Sequence, residues 1–323
     1  MSERTKENSH TVIMIGAGPA ALSAAVYTTR EDIDTLLLEK GVPGGLAAVT
    51  DWVDNYPGFP DGLAGLELAG NLQKQAERFG AVIDFGEVMA LHDEGEWKRL
   101  ETTLGDLYAK VVLVATGSDY KKLGIPGEAE YYARGVHYCA TCDGAFYRDQ
   151  RLVVVGGGNS AVQEAMFLTR FATHIDLMVR SKMRASDVLQ KELQKFVEDG
   201  KITVHLATTT DEIIGDKDGK VVQVRGTDTN SGNEVKIDTD GVFVFVGLKP
   251  NSEFLAGQLE ADEIGLIKTD ENLMSSMPGV FVAGDIRSHA TMQIASAVGE
   301  GATAALKIRE YLEGHIINVA EEA

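Results

Sequence analysis

Two segments of the chain repeat one order of hydrophobic and polar positions. Each has a short apolar run, a glycine-rich turn, a stretch of helical character and a second apolar run. Short apolar runs rich in β-branched residues predict buried strands, and strands that alternate with helices predict a parallel sheet. The four parts lie at 11–15, 16–21, 22–30 and 36–38 in the first segment, and at 151–155, 156–161, 162–171 and 175–179 in the second.

The residues that follow each segment along the chain also repeat a pattern. Short alternating strand signals over 82–109 and over 202–240 each lead into an apolar strand, and these strands end in Gly117 and Gly247. The chain therefore contains two copies of one design. The predicted fold class is α/β, with two Rossmann-like domains of the three-layer ββα type.

The chain closes with one more strand signal and a helix. The strand ends at Gly284 and Asp285, the helix is predicted over about 293–312, and the tail from Gly314 is predicted to fray. A carboxylate at the end of such a strand suits a bond to a sugar hydroxyl. The alternative for Asp285 is a helix cap.

The first glycine turn, Gly16–Ala21, has the composition of a dinucleotide-binding turn. Its glycines let the backbone turn sharply and approach a pyrophosphate at the helix N-terminus, where the amides and the helix dipole favour negative charge. Glu39 ends the second apolar run, 23 positions after Gly16. That spacing is close to the one expected for a carboxylate that bonds a ribose hydroxyl.

The second turn, Gly156–Ala161, repeats the glycines but is followed by different charges. Val179 ends the second apolar run, and Arg180, Lys182 and Arg184 come directly after it. A carboxylate suits a free ribose 2′-hydroxyl, whereas arginine accommodates a 2′-phosphate. The first copy thus predicts an FAD site and the second an NADP site. The alternative for the two arginines is a solvated basic face.

The only two cysteines of the chain, Cys139 and Cys142, form a C-x-x-C pair between the two glycine turns. This spacing closes a small disulfide ring, and one thiol of such a pair commonly has a lowered pKa and attacks other disulfides. The alternatives are half a zinc site, which lacks a second pair of ligands nearby, or two inert thiols. His137, two residues earlier, either stabilises a thiolate or is an ordinary hydrogen-bonded histidine.

Composition bounds the class of protein. The 323 residues predict about two domains, and 44% hydrophobic with 24% charged residues is ordinary for a globular protein. The net charge of −19 opposes nonspecific binding to nucleic acid or anionic membranes. The polar first ten residues, the absence of a run long enough to span a membrane, and the two cysteines favour a cytoplasmic location.

Several motifs, in this order and spacing, resemble those of the low-molecular-weight, bacterial-type thioredoxin reductases. The resemblance covers essentially the full chain. It implies a homodimer whose subunit has an FAD domain in two pieces, 1–118 and 247–323, with an NADP domain at 119–246 inserted between them. The matching residues are 16–21, 55–59, 115–117, 139–144, 156–161, 184–186, 283–285 and 293.

The resemblance also implies an electron path, from NADPH through FAD and the cysteine pair to the disulfide of thioredoxin. By position, Cys142 would face the flavin, Cys139 would be its partner, and Asp143 would be the acid/base that moves the proton. The alternative for Asp143 is an ordinary carboxylate at a helix N-terminus. No metal is predicted. The implied FAD residues are Gly16, Gly18, Pro19, Ala20, Glu39, Lys40, Gly45, Leu46, Asn55, Ala115, Thr116, Gly117, Asp285, Gln293, Ile294 and Ala295. The implied NADP residues are Gly156, Gly158, Asn159, Ser160, Ala161, Arg180 and Arg184.

One segment and three single positions depart from the family's usual pattern. The 179–184 segment stands where His-Arg-Arg-x-x-x-Arg is common, so one arginine is missing and the preference for a 2′-phosphate is weaker. Leu46 stands where a glutamine is common, and Met292 where an arginine is common, which removes polar groups near the flavin. Ala145 replaces one of two aromatic residues that often follow the cysteine pair.

These departures leave two rival functions open. The first is a related FAD-dependent disulfide reductase or dithiol oxidase, with NADH or ferredoxin as donor, or with a glutaredoxin-like protein or a small dithiol as substrate. The intact second glycine turn argues against ferredoxin. The second rival is a flavoprotein redox sensor that binds a partner without turnover, although a sensor does not need a second nucleotide fold.

Overall fold

The computed structural model describes residues 3–50, 52–255 and 257–314. Over this range the chain divides into two compact units. One is formed by residues up to Asp119 together with those from Lys249 onward, and the other by Tyr120–Leu248. The predicted fraying of the tail falls on residues 315–323, outside the described range.

The first unit and the strands that lead out of it supply the elements up to residue 120. In chain order these are β1 Ser9–Ile15, α1 Pro19–Arg30, β2 Thr35–Glu39, α2 Gly45–Ala48, α3 Gly65–Arg78, β3 Val82–Phe85, β4 Val88–Glu94, β5 Trp97–Thr102, β6 Gly105–Val114 and β7 Ser118–Tyr120.

The remaining elements cover the second unit and the return to the first. They are β8 Val136–His137, α4 Ala140–Asp143, β9 Arg151–Val155, α5 Asn159–Leu168, β10 His174–Val179, α6 Asp187–Glu198, β11 Ile202–Leu206, β12 Glu212–Gly215, β13 Val221–Thr227, β14 Glu234–Asp238, β15 Gly241–Val244, β16 Leu248–Pro250, β17 Val280–Val282 and α7 Ile294–Leu312. Two 3₁₀ helices cover Gly144–Tyr147 and Glu253–Leu255.

The sheet of the first unit has the order β3-β2-β1-β6-β5-β4, and β17 also pairs with β6. Strands β3, β2, β1, β6 and β17 run parallel, while β4 and β5 are antiparallel additions. Val12 and Met14 belong to the core under α1 and α7, whereas Ile13 and Ile15 belong to the core on the opposite face. A strand buried on both faces is apolar at every position, which explains the continuous apolar run in the sequence.

The second unit has three layers. Its five-stranded parallel sheet has the order β11-β10-β9-β15-β8. One face packs against α5 and α6, and the other packs against the antiparallel sheet β12-β13-β14. The predicted α/β fold class, with two Rossmann-like units of the ββα type, is confirmed.

The helices of the structure agree with the sequence prediction in one case and go beyond it in two. The helix predicted over 162–171 is α5, which starts earlier, at Asn159, because the extended Gly158 directly before it is the N-cap. Helices α3 and α6 were not predicted. Each buries a single narrow stripe, such as Leu68, Ala69 and Ala76 in α3, and is polar elsewhere. The 3.6-residue spacing of that stripe is the signal that would have identified α3.

None of the helices in the described part of the chain is both long enough and apolar enough to cross a membrane.

Candidate active site

The two cysteines form a disulfide at the start of the short helix α4. Cys139 is the residue that caps α4, its Cα lies 5.3 Å from that of Cys142, and the two sulfurs are bonded. The Cys142 amide donates to Cys139 Sγ at 3.1 Å. Such a contact favours the charged form of a thiol. Both cysteines are partly exposed.

The zinc interpretation of the pair finds no support in the described residues. They contain no group of three histidine, cysteine or acidic side chains that could hold a metal ion. Both sulfurs are consumed by the disulfide, so neither is a thiolate ligand. The pair is closed as a disulfide, the oxidised form of a dithiol–disulfide couple.

Asp143 follows Cys142 directly, and His137 contacts the Asp143 carboxylate. Asp143 belongs to the first turn of α4, and its amide donates to the Cys139 carbonyl at 3.2 Å. Its Oδ2 lies 3.3 Å from His137 Nδ1. His137 is buried, its Nε2 is hydrogen-bonded to the Tyr147 hydroxyl, and its Nδ1 faces the acid that follows the cysteines.

In the first glycine turn, the backbone at Gly16 lies close against the backbone at Ala115. Gly16 has a φ of +100°, and a Cβ placed on it would lie 2.6 Å from the Ala115 carbonyl oxygen. Gly18, the N-cap of α1, has the opposite character, because a Cβ there would meet nothing within 4 Å. The turn is thus tight on the strand side and open in front of the helix N-terminus. A pyrophosphate requires such an open position.

Glu39 is tied to the same turn. Its two carboxylate oxygens accept from the amides of Ala17, at 2.8 Å, and Gly41, at 2.7 Å. Each carboxylate oxygen has a second lone pair, so hydroxyl donors can still be accepted. Gly45 also lies here, since a Cβ on it would be 3.6 Å from Gly18 Cα.

Other implied flavin residues are paired across long stretches of sequence. Asn55 Nδ2 donates to Gln293 Oε1 at 3.1 Å. The Thr116 hydroxyl donates to the Asn251 carbonyl, and Asn251 Nδ2 donates back to the Thr116 carbonyl. Both pairs belong to the first unit, where they hold loops that follow strands.

The remaining implied flavin residues occupy the ends of elements. Pro19 and Ala20 open α1, Ile294 and Ala295 open α7, and Gly117 has a φ of +67°. Lys40 lies 3.6 Å from Glu87, and Leu46 is 39% exposed.

Asp285 carries the most perturbed carboxyl of the first unit. Burial, followed by the charge of Glu300, raises its pKa from 3.8 to about 6. Glu300 itself is paired with Arg287 at 2.5 Å. Within the described ranges no hydrogen-bond donor reaches the Asp285 carboxylate. The N-cap of α7 is Gln293, so the helix-cap interpretation of Asp285 is wrong. A half-buried carboxylate that accepts no bond from the protein suits a hydroxyl of a bound molecule.

The second glycine turn has the same two-sided construction. Gly156 has a φ of +146°, and a Cβ there would collide with the Phe245 carbonyl and lie 2.7 Å from the Ala161 Cβ. Gly158 caps α5 and has open space where a Cβ would be. Asn159 Oδ1 accepts from the Ser186 amide at 2.9 Å, and Ser160 is exposed in the first turn of α5.

The basic segment after β10 is attached to this turn. The Arg184 amide donates to the Gly157 carbonyl at 2.6 Å. Arg180, Lys182 and Arg184 are exposed, and no acidic side chain of the described residues pairs with any of them. Three exposed cations without an acidic partner lie beside this turn, whereas the first turn has Glu39 beside it, and such cations are able to bind an anion. Both turns therefore fit a dinucleotide, and they differ in the charge they accept.

The fold and the site define a disulfide oxidoreductase that passes electrons between bound dinucleotides and a pair of cysteine sulfurs. The sequence model of the pyridine nucleotide-disulphide oxidoreductase family matches residues 10–301 of this chain. The thioredoxin reductase of Bacillus subtilis is 41% identical over 310 residues, which cover 96% of each chain. The chain belongs to the pyridine nucleotide-disulphide oxidoreductase family, within its bacterial-type thioredoxin reductases.

Solved structures agree with this placement. A thioredoxin reductase from Streptococcus pyogenes has a TM-score of 0.89 at 38% identity, covering 95% of this chain and 99% of that one. One from Giardia duodenalis has a TM-score of 0.89 at 31% identity, with the same coverage. Membership of the family implies a flavin and a pyridine nucleotide as cofactors.

Sequence reasoning missed three parts of the site. These are Tyr147 behind His137, Asn251 behind Thr116, and the link from Asn159 to Ser186. In the first two cases the sequence contains no local signal, because the partners lie in different elements. Ser186 could have been found from its position, since a serine directly before the helical spacing of α6 predicts an N-cap.

Proposed function

We propose that the protein is a thioredoxin-disulfide reductase that uses NADPH as donor and FAD as its flavin. The observation that carries the proposal is the Cys139–Cys142 disulfide, which lies in the same compact unit as the second glycine turn and its basic segment. The first unit would hold FAD at Gly16–Ala21, Glu39 and Asp285. The second would hold NADPH at Gly156–Ala161 with its arginines.

When bound, the flavin accepts two electrons from the nicotinamide and supplies them for disulfide reduction. The chain's own part is thiol chemistry. Reducing the Cys139–Cys142 bond takes up two electrons and two protons and gives two thiols. One thiolate then attacks a sulfur of the thioredoxin disulfide and forms a mixed disulfide, which releases one thioredoxin thiol. The second cysteine attacks the first through its own sulfur, re-forms the Cys139–Cys142 bond and releases the other thioredoxin thiol, so the partner leaves with both electrons. Asp143 would hold and move a proton at the pair.

Removing the unpaired arginines should change the choice of nicotinamide. The double variant Arg180→Ala with Arg184→Ala is expected to raise KM for NADPH about a hundredfold, because two charge-assisted bonds to the 2′-phosphate are lost. KM for NADH should stay within about twofold, since NADH has a hydroxyl at that position. Steady-state kinetics with both donors measures the effect.

Lys217→Ala is the matched control for that experiment. Lys217 is an exposed cation on the turn between β12 and β13, so its removal changes the net charge without touching the basic segment. It should leave both KM values unchanged. An equal rise in KM for NADPH and NADH in the arginine variant would show that the segment does not read the 2′-phosphate.

Asp285→Asn should have opposite effects on the protein with and without FAD. In the flavin-free protein, the raised pKa means that stability falls as pH rises from 3.8 to about 6, because the unfolded chain ionises first. Asparagine removes this penalty and should increase the free energy of unfolding at pH 7 by about 2 kcal/mol. The affinity for FAD should fall at least about tenfold, because a charge-assisted bond to a hydroxyl is lost.

Urea unfolding of both forms from pH 4 to pH 8, with flavin dissociation followed by fluorescence, measures these effects. Asp61→Asn, on an exposed turn, is the control with the same charge change. If Asp285→Asn destabilised the flavin-free protein, the proposed cost of ionising Asp285 in the folded state would be wrong.

The proposed function is tested by anaerobic titration of the yellow protein with NADPH, followed by a thioredoxin-coupled assay. Bleaching of the flavin and reduction of thioredoxin are the expected results. If NADH bleached the flavin and NADPH did not, the donor would be NADH. Oxygen consumption with a small dithiol and no activity on thioredoxin would favour a dithiol oxidase.

We infer two further properties from the family resemblance and the chemistry. A homodimer is expected, and light scattering of the purified protein at several concentrations tests it. A cytoplasmic location is expected because thiol-reducing systems operate in that compartment. Fractionation of cells with an antibody to the chain tests the location.

A further inference from the structure

A buried histidine connects the acid beside the cysteines to the core of the second unit. His137 lies on β8 and is 7% exposed. Its ring stacks on Phe243 of the neighbouring strand β15, with centroids 5.2 Å apart. Tyr147 packs edge-on against both rings. The imidazole is therefore held in one plane by aromatic contacts.

Both ring nitrogens of His137 are engaged. Nδ1 lies 3.3 Å from Asp143 Oδ2, and Nε2 lies 2.7 Å from the Tyr147 hydroxyl oxygen. Burial, followed by the charges of Asp143 and Asp240, raises the pKa of Tyr147, so the hydroxyl keeps its proton. If the hydroxyl of Tyr147 donates to Nε2, the ring proton lies on Nδ1, the nitrogen that faces the Asp143 carboxylate.

This arrangement orients Asp143 without using up its carboxyl. One oxygen, Oδ2, faces His137 Nδ1 at 3.3 Å, and the other accepts no bond from any residue in the described ranges. The side chain of Asp143 is 19% exposed. A carboxyl fixed through one oxygen keeps the second in a constant position, which proton transfer at a nearby atom requires.

We propose that His137 is a positioning residue that holds the Asp143 carboxyl for proton exchange with the cysteine pair. Tyr147 anchors the ring from the other side. The inference rests on the role proposed above for Asp143. When the disulfide is opened, the S–S bond breaks and the leaving sulfur gains an electron pair. The carboxyl O–H bond breaks as the new S–H bond forms, and the carboxylate that remains accepts the Nδ1–H of His137.

The test measures disulfide opening without NADPH or thioredoxin. Oxidised holoprotein is mixed with dithiothreitol, which supplies the electrons, and the reaction is quenched with a maleimide whose added mass counts free thiols. Asp143→Asn is expected to slow opening about a hundredfold, and His137→Phe, which keeps the stacked ring, about tenfold. His137→Asn should recover most of the rate, because its amide can take the place of Nδ1–H.

Two comparisons separate positioning from a structural effect. In the Asp143→Asn background, His137→Phe should change the rate less than about twofold, since a residue that acts through Asp143 has nothing left to position. A full tenfold loss in that background, or a His137→Asn variant as slow as His137→Phe, would overturn the inference. A wild-type rate in Asp143→Asn would overturn it too, and would leave NADPH-dependent turnover as a separate question.

Tyr147→Phe provides the variant that keeps the core intact. It preserves the ring that packs on Phe243 and removes only the hydroxyl bonded to Nε2. Opening of the disulfide should slow about threefold, by partial loss of the orienting bond. An unchanged rate would show that the hydroxyl does not anchor His137. Thermal unfolding of each variant shows whether it is folded.

Discussion

Replacing either Cys139 or Cys142 by serine is expected to reduce thioredoxin-dependent turnover by about 10³-fold or more, because the electron pair must reside on the two sulfurs. Flavin reduction by NADPH should persist, since it precedes the thiol chemistry. Stopped-flow absorbance of the flavin and the coupled assay separate the two half-reactions. Each serine variant removes one sulfur. Both variants should lose the reduction of thioredoxin and keep the reduction of the flavin.

The matched control for these variants lies between the cysteines. Thr141 is an exposed residue of α4, and Thr141→Ser leaves the spacing, the helix and both sulfurs unchanged. It should turn over within about twofold of the unmodified protein. Substantial thioredoxin reduction by a variant that lacks both cysteines would falsify the proposed electron path.

The second large effect is expected at the first glycine turn. Gly16→Ala should cost at least about 3 kcal/mol of stability, because its positive φ strains any side chain and its Cβ meets a backbone oxygen that cannot move freely. The purified protein should carry little flavin. Flavin content, measured as the absorbance ratio of flavin to protein, and urea unfolding together record the loss.

Two other glycines turn this prediction into a controlled series. Gly18→Ala adds the same methyl group at an open position with ordinary backbone angles, so the fold should keep its stability while FAD binding weakens about tenfold or more. Gly70→Ala, in the open middle of α3, should be neutral or stabilising by up to about 1 kcal/mol, with full flavin content. A Gly18→Ala variant with unimpaired FAD binding would contradict a pyrophosphate in front of α1.

The parts of the fold that could be predicted are those with local causes. Parallel strands buried on both faces require continuous apolar runs, and a tight turn into a helix requires glycines at fixed spacing. The strands around Gly16 and Gly156 therefore stood out in the sequence. Helices α3 and α6 have no glycine turn before them, and their only local signal is the 3.6-residue spacing of a narrow buried stripe on an otherwise polar helix.

The candidate site divides in the same way. The cysteine pair and Glu39 follow from spacing within one segment. The sequence also marked Asp285, but left open whether it caps a helix, and only the position of the α7 N-cap at Gln293 removed that alternative. Its charge environment depends on Glu300, which lies on a helix that packs back over the strand end.

Three features could be predicted from local sequence: two dinucleotide-type turns, the sign of the charge that follows each turn, and a cysteine pair able to open and close. These features are set by neighbours along the backbone, so their spacing carries the information. The side chains that support these features are seen only in the folded protein. Examples are the hydrogen bond from Asn55 to Gln293 and the position of His137 between Asp143 and Tyr147. Such contacts depend on how strands and helices pack, and separation along the chain does not encode that packing.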